Sequence, residues 1–543
     1  MTDPTQTWPA DLADRYRARG YWRGETFPAM LRDRAAAHPE RIALVAGDTR
    51  LSYAALNDRA RSLGAGLLAL GLRPGDRVLI QMGNVPAFFE AVFGAFAAGL
   101  VPVYALPAHR RTELLHLAGK AAARAILVQD RIERFDHAAM VLGLRDALPG
   151  LDHVIVAGTA PEGALAMDAI AGDAATLPAD PDPQSVAFCQ ISGGSTGLPK
   201  LIPRTHDDYI YSLRGSNEIC GIDADSVYMA SLPVAHNFTM SSPGHFGALY
   251  AGARVVLCPA PLPQVAFELI RREGVTITGL VPPLALLWLD AAERMPPALP
   301  SLKLLQVGGA KFLPESARRV APLLGCRLQQ VFGMAEGLVN YTRDDDPDEI
   351  VTGTQGRPIS PDDEVLILDD AGQPVPEGTP GNLLTRGPYT IRGYHDDASA
   401  NARSFTEDGF YRTGDIVQRL PSGHLVVMGR ANDQINRNGE KISAEEVEDL
   451  LLGHPQVFDA VVVSIPDARL GERACAFIQP RDAAPTPAEL RRYMRGREVA
   501  AFKIPDEIRI VDGFATTAVG KISRRQLREI LRADVLAEEE KTA

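Results

Sequence analysis

Gln190-Ile191-Ser192-Gly193-Gly194-Ser195-Thr196-Gly197-Leu198-Pro199-Lys200 is the stretch from which the rest of the chain is read. Its glycines, serines and threonine leave the backbone free to curl, so that successive N–H groups can point inward at an anion, the outline of a phosphate cradle. Ser185-Val186-Ala187-Phe188-Cys189 ahead of it is short, apolar and β-prone, and Thr205 to Cys220 reads as a helix entered through His206-Asp207-Asp208. The loop is therefore expected at a strand end. A Walker-type loop does not fit: counted from Gly193, its Gly-Lys pair would fall on Leu198 and Pro199, and Lys200 is followed by Leu201. A flexible surface linker is the other reading of such a run. Pro199, which stiffens the exit, and Lys200, which adds a charge, count against it.

With 543 residues the chain is too long for one ordinary domain, and about three or four folding units are expected. Hydrophobic residues make up 46% and charged residues 23%, the balance of a globular protein and not of a disordered or fibrous one. The formal net charge of −12, without a long Lys/Arg block, argues against nucleic acid as a partner. If the loop binds phosphate, backbone dipoles, lysines and a divalent cation must supply the positive field that the body lacks. The five cysteines, Cys189, Cys220, Cys258, Cys326 and Cys475, lie far apart without a CxxC pair, and read as reduced, buried thiols of a cytoplasmic enzyme. Met1 to Gln6 has neither a basic n-region nor an apolar h-region, so no secretory signal is expected. The most apolar window, Ala91 to Pro107, is broken by Gly94, Gly99 and Pro102 and reads as a buried helix and strand, so no membrane insertion is expected.

An irregular, surface-wrapping N-terminus is expected before a helix over Phe27 to His38. Arg41 to Val45 begins a strand that turns at Gly47-Asp48 and resumes at Leu51-Ser52-Tyr53. Tyr53 to Leu70 has helical spacing, Arg77 to Ile80 is a buried strand, and helix and strand then alternate through Ala87–Ala98, Val101–Leu106, Thr112–Ala121, Ala125–Val128 and Val154–Ala157. The alternation is that of a doubly wound α/β sheet. It recurs beyond the loop with Val227–Ala230, Arg254–Leu257, Thr276–Leu280 and Lys303–Val307, giving a second α/β layer. Between 356 and about 430 the texture changes to short strands separated by Gly, Pro and Asp, a small β-barrel-like unit. Gly429 to Ile435 is polar and reads as a hinge. A compact α+β tail follows, with helices over Ser443–His454 and Pro487–Arg497, strands over Val457–Ile465 and Ala474–Gln479, and Lys521 to Arg525 leading into a last helix. The expected division is 1–431 for the core and 432–543 for the small mobile domain.

Gly193 to Lys200, Phe332-Gly333-Met334-Ala335-Glu336, Tyr411-Arg412-Thr413-Gly414-Asp415, Gly429-Arg430 and Gly520-Lys521 occur in the order and rough spacing of one family. The chain resembles the adenylate-forming superfamily of acyl-CoA synthetases, adenylation domains of nonribosomal peptide synthetases and luciferases. Pro233-Val234-Ala235-His236-Asn237-Phe238, Ser241-Ser242-Pro243-Gly244, Val331 to Thr342 and Asp433-Gln434-Ile435-Asn436-Arg437 look more narrowly like the stand-alone aryl acid AMP ligases of siderophore biosynthesis, which act on 2,3-dihydroxybenzoate or salicylate. The resemblance implies ATP-dependent activation of an aryl carboxylate with release of pyrophosphate, then transfer of the aryl group to the phosphopantetheine thiol of an aryl carrier protein.

It implies the following roles. Ser192, Gly193, Gly194, Ser195, Thr196, Gly197 and Lys200 would hold the β- and γ-phosphates, with Mg²⁺ held by Glu336. The main catalytic need, cancelling charge between two anionic partners, falls to these groups and to Lys521, which would bridge the attacking carboxylate and the α-phosphate. Asp415 would accept from both ribose hydroxyls, and Arg430 would hold ribose or phosphate. Adenine would lie between the Gly309-Ala310-Lys311 backbone and Phe332, among Val331, Gly333, Met334, Ala335 and Val427; Phe332 as plain core is the alternative. In the acid pocket Asn237 would meet a 2-hydroxyl and Ser242 a 3-hydroxyl, His236 would face the carboxylate or the entrance, and Phe238, Gly308, Val331, Leu338 and Val339 would form the walls. Asn237 discriminates because an acid without the 2-hydroxyl leaves an amide unpaired; Ser242 can rotate away, so salicylate and 2,3-dihydroxybenzoate both stay open. After adenylation the small domain would rotate, and a face around Gly439-Glu440-Lys441 would replace Lys521.

The chain departs from the family at Ala515, where the lysine motif usually opens with proline, at Asn432, where Asp or Lys is common, and at Ala335, where Thr is frequent. An aryl-CoA ligase shares the first half-reaction and is the rival within enzymes. A noncatalytic protein that kept the fold is the rival outside them.

Overall fold

The structure, a computed structural model, describes residues 8–192, 199–437, 440–467, 471–497, 499–516 and 522–542. Apolar runs such as Val78-Leu79-Ile80 and Ile126-Leu127-Val128 have no exposed surface, because helices cover both faces of the sheet they form. Alternate residues serve different cores. Leu79, Ile126 and Val128 pack on one side with Leu114 and Leu117, and Val78, Ile80 and Leu127 on the other with Phe88, Phe96 and Phe246.

This sheet has seven strands in the order Leu201–Thr205, Val186–Ile191, Val101–Ala105, Arg77–Gln81, Ala125–Gln129, His153–Ala157 and Leu165–Ala166. All neighbours are parallel except the first pair, which is an antiparallel hairpin. A second sheet has nine strands: Arg357–Pro358, Gly337–Tyr341, Arg327–Met334, Leu304–Gly308, Ile277–Leu280, Val227–Ala230, Arg254–Leu257, Ile42–Ala46 and Thr49–Ser52. Its inner strands are parallel. Helices Tyr53–Ala69, Pro86–Ala97 and Gly244–Ala251 share one core with strands of both sheets, so the two α/β layers are packed back to back through them.

The small β-rich unit is a four-stranded antiparallel sheet of Glu364–Leu368, Gly381–Arg386, Tyr411–Arg419 and Leu425–Arg430. The α+β tail is a five-stranded sheet in which Gly471–Pro480 pairs antiparallel with Val457–Asp467 and Ile435–Arg437, and parallel with Glu507–Ile510. Helices Ala444–Leu452 and Pro487–Arg495 cover one face through Val447, Leu451, Leu490 and Met494, and Arg524–Thr542 covers the other through Leu527 and Leu531. Among the described residues no helix is long and apolar enough to cross a membrane.

The expected α/β class with a small β unit and an α+β tail is the architecture found. Three local expectations are corrected. The N-terminus is not irregular: Ala10–Ala18 is a helix that buries Ala13 and Tyr16, and Trp22 donates from Nε1 to the Pro388 carbonyl at 2.9 Å. Tyr53 does not extend a strand, because Ser52 caps the helix that begins there by accepting from the Ala55 N–H. The helix expected beyond the glycine-rich stretch is found at His206–Cys220, capped by Thr205, and a strand for which no expectation was made, Leu201–Thr205, precedes it and pairs antiparallel with Val186–Ile191. Gly429 and Arg430 complete a strand, and the polar stretch read as a hinge loses its first two residues to the sheet.

Candidate active site

Strand Arg327–Met334 and strand Gly337–Tyr341 form a hairpin whose tip is Ala335-Glu336. A carboxylate at a hairpin tip is ordinarily solvated, yet Glu336 is buried. Three contacts explain this. The Tyr394 hydroxyl donates to Glu336 Oε1 at 2.9 Å, the Ile391 N–H donates to the Glu336 carbonyl at 2.8 Å, and Arg204 donates from Nη1 to the Ala335 carbonyl at 2.8 Å. Gly337 is required beside it: its φ is +140°, and a Cβ there would lie 2.5 Å from the Thr390 Cα. Arg204 is itself buried, pairs with buried Asp208 at 2.8 Å, and donates from Nη2 to the Tyr389 carbonyl at 3.0 Å. A buried guanidinium with a buried carboxylate and two carbonyls is fully engaged, which fixes the tip.

Lys200 stands on the same cluster, with Nζ 4.0 Å from the centre of the Tyr394 ring. Burial pushes its ammonium down from the usual lysine range, and Glu336 and Asp397 oppose that shift. The backbone N–H of Lys200 donates to the Ser192 hydroxyl and that of Ser192 to the Lys200 carbonyl, both at 3.0 Å, closing the base of the loop between them. His116 adds a contact from Nε2 to the Pro199 carbonyl at 2.8 Å. Gly193, Gly194, Ser195, Thr196, Gly197, Gly439 and Lys521 lie outside the described residues.

Asp415 and Arg430 face each other across antiparallel strands, and Arg430 Nε is 3.1 Å from Asp415 Oδ1. Asp415 is buried and Arg430 half-exposed; the carboxylate raises the guanidinium above its ordinary value. Phe332 and Gly309 come together because Gly308 and Val331 are partners in the parallel ladder, Gly309 turning away with φ of +82° as Phe332 continues the next strand. Phe332 and Met334 pack on the cluster of Leu338, Val417, Leu425 and Val427, and the Val427 N–H donates to Gln355 Oε1 at 2.8 Å. Ala310 is exposed, and Lys311 lies near Glu445 and Asp449 of the helix Ala444–Leu452.

The loop after strand Val227–Ala230 carries His236, which immediately precedes the short helix Asn237–Ser241 without a side-chain capping bond. Asn84 fixes this loop, donating from Nδ2 to the carbonyls of Ala230, Leu232 and Cys258 and accepting from the Val234 N–H. Asn237 Oδ1 accepts from the Tyr209 hydroxyl at 2.8 Å. Phe238 lies over a floor of glycine: a Cβ on Gly308 would come 2.7 Å from the Val331 carbonyl oxygen and 3.2 Å from the Phe238 ring. Phe238, Val331 and Val339 share a core, and buried Ser242 precedes a cis bond to Pro243. Leu338 does not join these walls. It is the extra residue of a β-bulge, with φ of +44°, and packs with Val417, Leu425 and Val427 of the small sheet, while Val339 belongs to the core that holds Phe238.

The helix Ala444–Leu452 closes over the Asp415–Arg430 side of this cluster. Ser443 Oγ donates to the Met428 carbonyl at 3.0 Å, and Glu445 approaches Gly429, its carboxyl carbon 3.7 Å from where a Cβ would stand. Burial pushes the Glu445 carboxyl up to about 7, against the pull of Arg524 and Lys311.

The sequence reading named Glu336, Lys200, Asp415, Arg430, Asn237 and Phe238, and the structure gathers them at the carboxyl ends of parallel strands and along the edge of the small sheet, where ligands enter open α/β folds. It missed Arg204, Tyr394, Asn84 and Tyr209. Arg204 and Asp208 at helical i, i+4 spacing were the one signal available. Among the described residues no cluster of three or more His, Cys, Asp or Glu side chains could hold a metal alone. Glu336 as a single carboxylate fits a Mg²⁺ that takes its other ligands from phosphates and water.

Residues 31–395 match the family model described as "AMP-binding enzyme", and residues 446–521 that of the "AMP-binding enzyme C-terminal domain". The chain is 54% identical over 530 residues to a protein of Bacillus subtilis (strain 168) named "2,3-dihydroxybenzoate-AMP ligase", covering 98% of each chain. It is 48% identical over 540 residues to a Streptomyces sp protein named "Salicylyl-CoA synthase / salicylate adenylyltransferase", covering 97% of each. The solved "Mycobacterium smegmatis MbtA apo structure" superposes with a TM-score of 0.75 at 45% identity, covering 96% of this chain and 98% of that one.

Proposed function

The chain belongs to the AMP-binding enzyme family, and we propose that within it the protein is an aryl acid AMP ligase. It activates a 2-hydroxybenzoate-type acid, salicylate or 2,3-dihydroxybenzoate, with ATP and releases pyrophosphate. It then passes the aryl group to the phosphopantetheine thiol of an aryl carrier protein in siderophore or nonribosomal peptide biosynthesis. The observation that carries this reading is the polar Asn237 amide beside a Phe238 ring floored by Gly308, next to the Glu336–Tyr394–Lys200 cluster and the Asp415–Arg430 pair.

Each group has one task in this reading. Asp415 accepts from the ribose hydroxyls, and Arg430, already paired with it, stays beside the phosphates. The loop between Ser192 and Lys200 holds the departing pyrophosphate, and Lys200 neutralises part of its charge. Mg²⁺ held by Glu336 supplies further positive charge to the phosphates when bound. Residues 432–543 form a mobile domain that brings Lys521 to the carboxylate and α-phosphate, where an ammonium follows moving oxygens. The buried thiols leave the chain suited to the cytoplasm.

The test is acid-dependent exchange of pyrophosphate into ATP with salicylate and 2,3-dihydroxybenzoate, followed by transfer to a phosphopantetheinylated carrier or to coenzyme A. Transfer to the carrier supports the reading. The relative named as a salicylyl-CoA synthase favours the second acceptor, and faster transfer to coenzyme A would replace the carrier half of the proposal with an aryl-CoA ligase.

A further inference from the structure

Tyr209 lies wholly within the core, on the helix His206–Cys220, and its hydroxyl ends at the acid pocket. Its ring cannot tilt: the Phe188 ring meets it edge-on with centroids 4.7 Å apart, and the Arg204 guanidinium sits 4.7 Å from its centre. That guanidinium is immobilised by Asp208 and two carbonyls. The hydroxyl is thereby delivered to one point, 2.8 Å from Asn237 Oδ1. Gln190 approaches the same hydroxyl, and its amide can donate to the oxygen, while the Ser241 hydroxyl donates to the Asn237 main-chain carbonyl at 3.2 Å. The Tyr209 hydroxyl's single proton is left for the Asn237 side-chain carbonyl.

An amide whose carbonyl is held this way has only its NH₂ to offer elsewhere. Asn237 is partly exposed, and among the described residues its Nδ2 has no hydrogen-bond partner. From the fixed phenol of Tyr209 and the oriented amide of Asn237 we infer that Tyr209 is a positioning residue for substrate choice, turning the Asn237 NH₂ toward the ortho position of the acid and selecting an ortho oxygen over an ortho amino group. The inference rests on the reading of this pocket as the aryl acid site.

The chemistry of the two substituents is opposite. In a 2-hydroxybenzoate the phenolic proton is taken by the acid's own carboxylate, and the oxygen's free lone pair accepts from Asn237. In a 2-aminobenzoate one N–H also goes to the carboxylate, but the nitrogen lone pair is spread into the ring and the second N–H meets the Asn237 N–H, donor against donor. Without Tyr209 the amide could turn its carbonyl to that N–H, and the distinction would fade.

The experiment is pyrophosphate exchange by the full chain with salicylate, anthranilate and benzoate, comparing wild type, Tyr209→Phe and Asn237→Asp by kcat/KM. Wild type prefers salicylate to anthranilate. Tyr209→Phe, which keeps the packed ring, lowers that ratio by about tenfold or more, with the loss on salicylate. Asn237→Asp still accepts the Tyr209 proton but presents no donor, so it lowers salicylate and raises anthranilate. Equal losses on all three acids in both variants would give Tyr209 a structural role only and overturn the inference while leaving the ligase reading intact. A wild type that exchanges with no 2-hydroxybenzoate would overturn the two together.

Discussion

The Tyr394 hydroxyl donates a 2.9 Å hydrogen bond to Oε1 of Glu336, and the same ring carries the Lys200 ammonium 4.0 Å from its centre. One side chain thus sets both the carboxylate proposed to hold the metal and the lysine at the mouth of the glycine-rich loop. A hydrogen bond to a charged group is worth about 1.5–3 kcal/mol. Tyr394→Phe, which keeps the ring, is expected to lower acid-dependent exchange about ten- to hundredfold and to raise the Mg²⁺ concentration needed for half-maximal rate. Steady-state kinetics against Mg²⁺ measures both.

Arg204 acts at one remove. Its guanidinium joins buried Asp208 to the carbonyls of Ala335 and Tyr389, so removing the charge leaves Asp208 buried and unpaired. Arg204→Met is expected to lose about 3–5 kcal/mol of stability. Chemical denaturation reads this directly, and a loss under 1 kcal/mol would mean that the pair contributes little to the Glu336 tip.

Gly308 has no room for a side chain. A Cβ would press on the Val331 carbonyl at 2.7 Å, on the Val331 Cβ at 3.0 Å and on the Phe238 ring at 3.2 Å. Gly308→Ala is expected to cost about 1–3 kcal/mol and to raise KM for the aryl acid more than KM for ATP, because Phe238 must move into the acid's space. Thermal unfolding and the two KM values separate these effects.

Docking of the helix Ala444–Leu452 is expected to depend on pH through Glu445. Its carboxyl, near Gly429, Asp415, Glu448, Lys311 and Arg524, is raised to about 7 in the folded protein from an ordinary value of 4.5. The folded state therefore holds a proton that the unfolded chain, or an undocked helix, has released between those values. Stability from this group is present below about 4.5 and is lost as pH rises to about 7. Hydrogen exchange along residues 444–452 should quicken over that range relative to the rest of the chain, and Glu445→Gln should remove this group's part of the dependence, leaving that of Glu448 and Asp449, whose carboxyls burial also raises.

The parallel strands were legible because strands buried on both faces are continuous apolar runs, as Val78-Leu79-Ile80 and Ile126-Leu127-Val128 are. The site was legible where short motifs carry it: Glu336 after Phe332-Gly333, Asp415 after Thr413-Gly414. What holds those residues was not. Tyr394 is 58 positions from Glu336 and Arg204 is 131 from Ala335, and no local pattern encodes contacts of that range. The helix Ala10–Ala18 buries only Ala13 and Tyr16, too thin an apolar stripe to stand out among its arginines and aspartates. Leu338 was misplaced because a β-bulge, at which its φ is +44°, turns it toward the small sheet, and nothing in a run of apolar residues marks that bulge.

Acid-dependent exchange of labelled pyrophosphate into ATP, run with salicylate and with 2,3-dihydroxybenzoate on the wild-type chain and on Lys521→Ala, tests the central claim most directly. The account predicts exchange that requires one of these acids and falls by at least about a hundredfold in the variant. Exchange absent with both acids, or equal in wild type and variant, would contradict it.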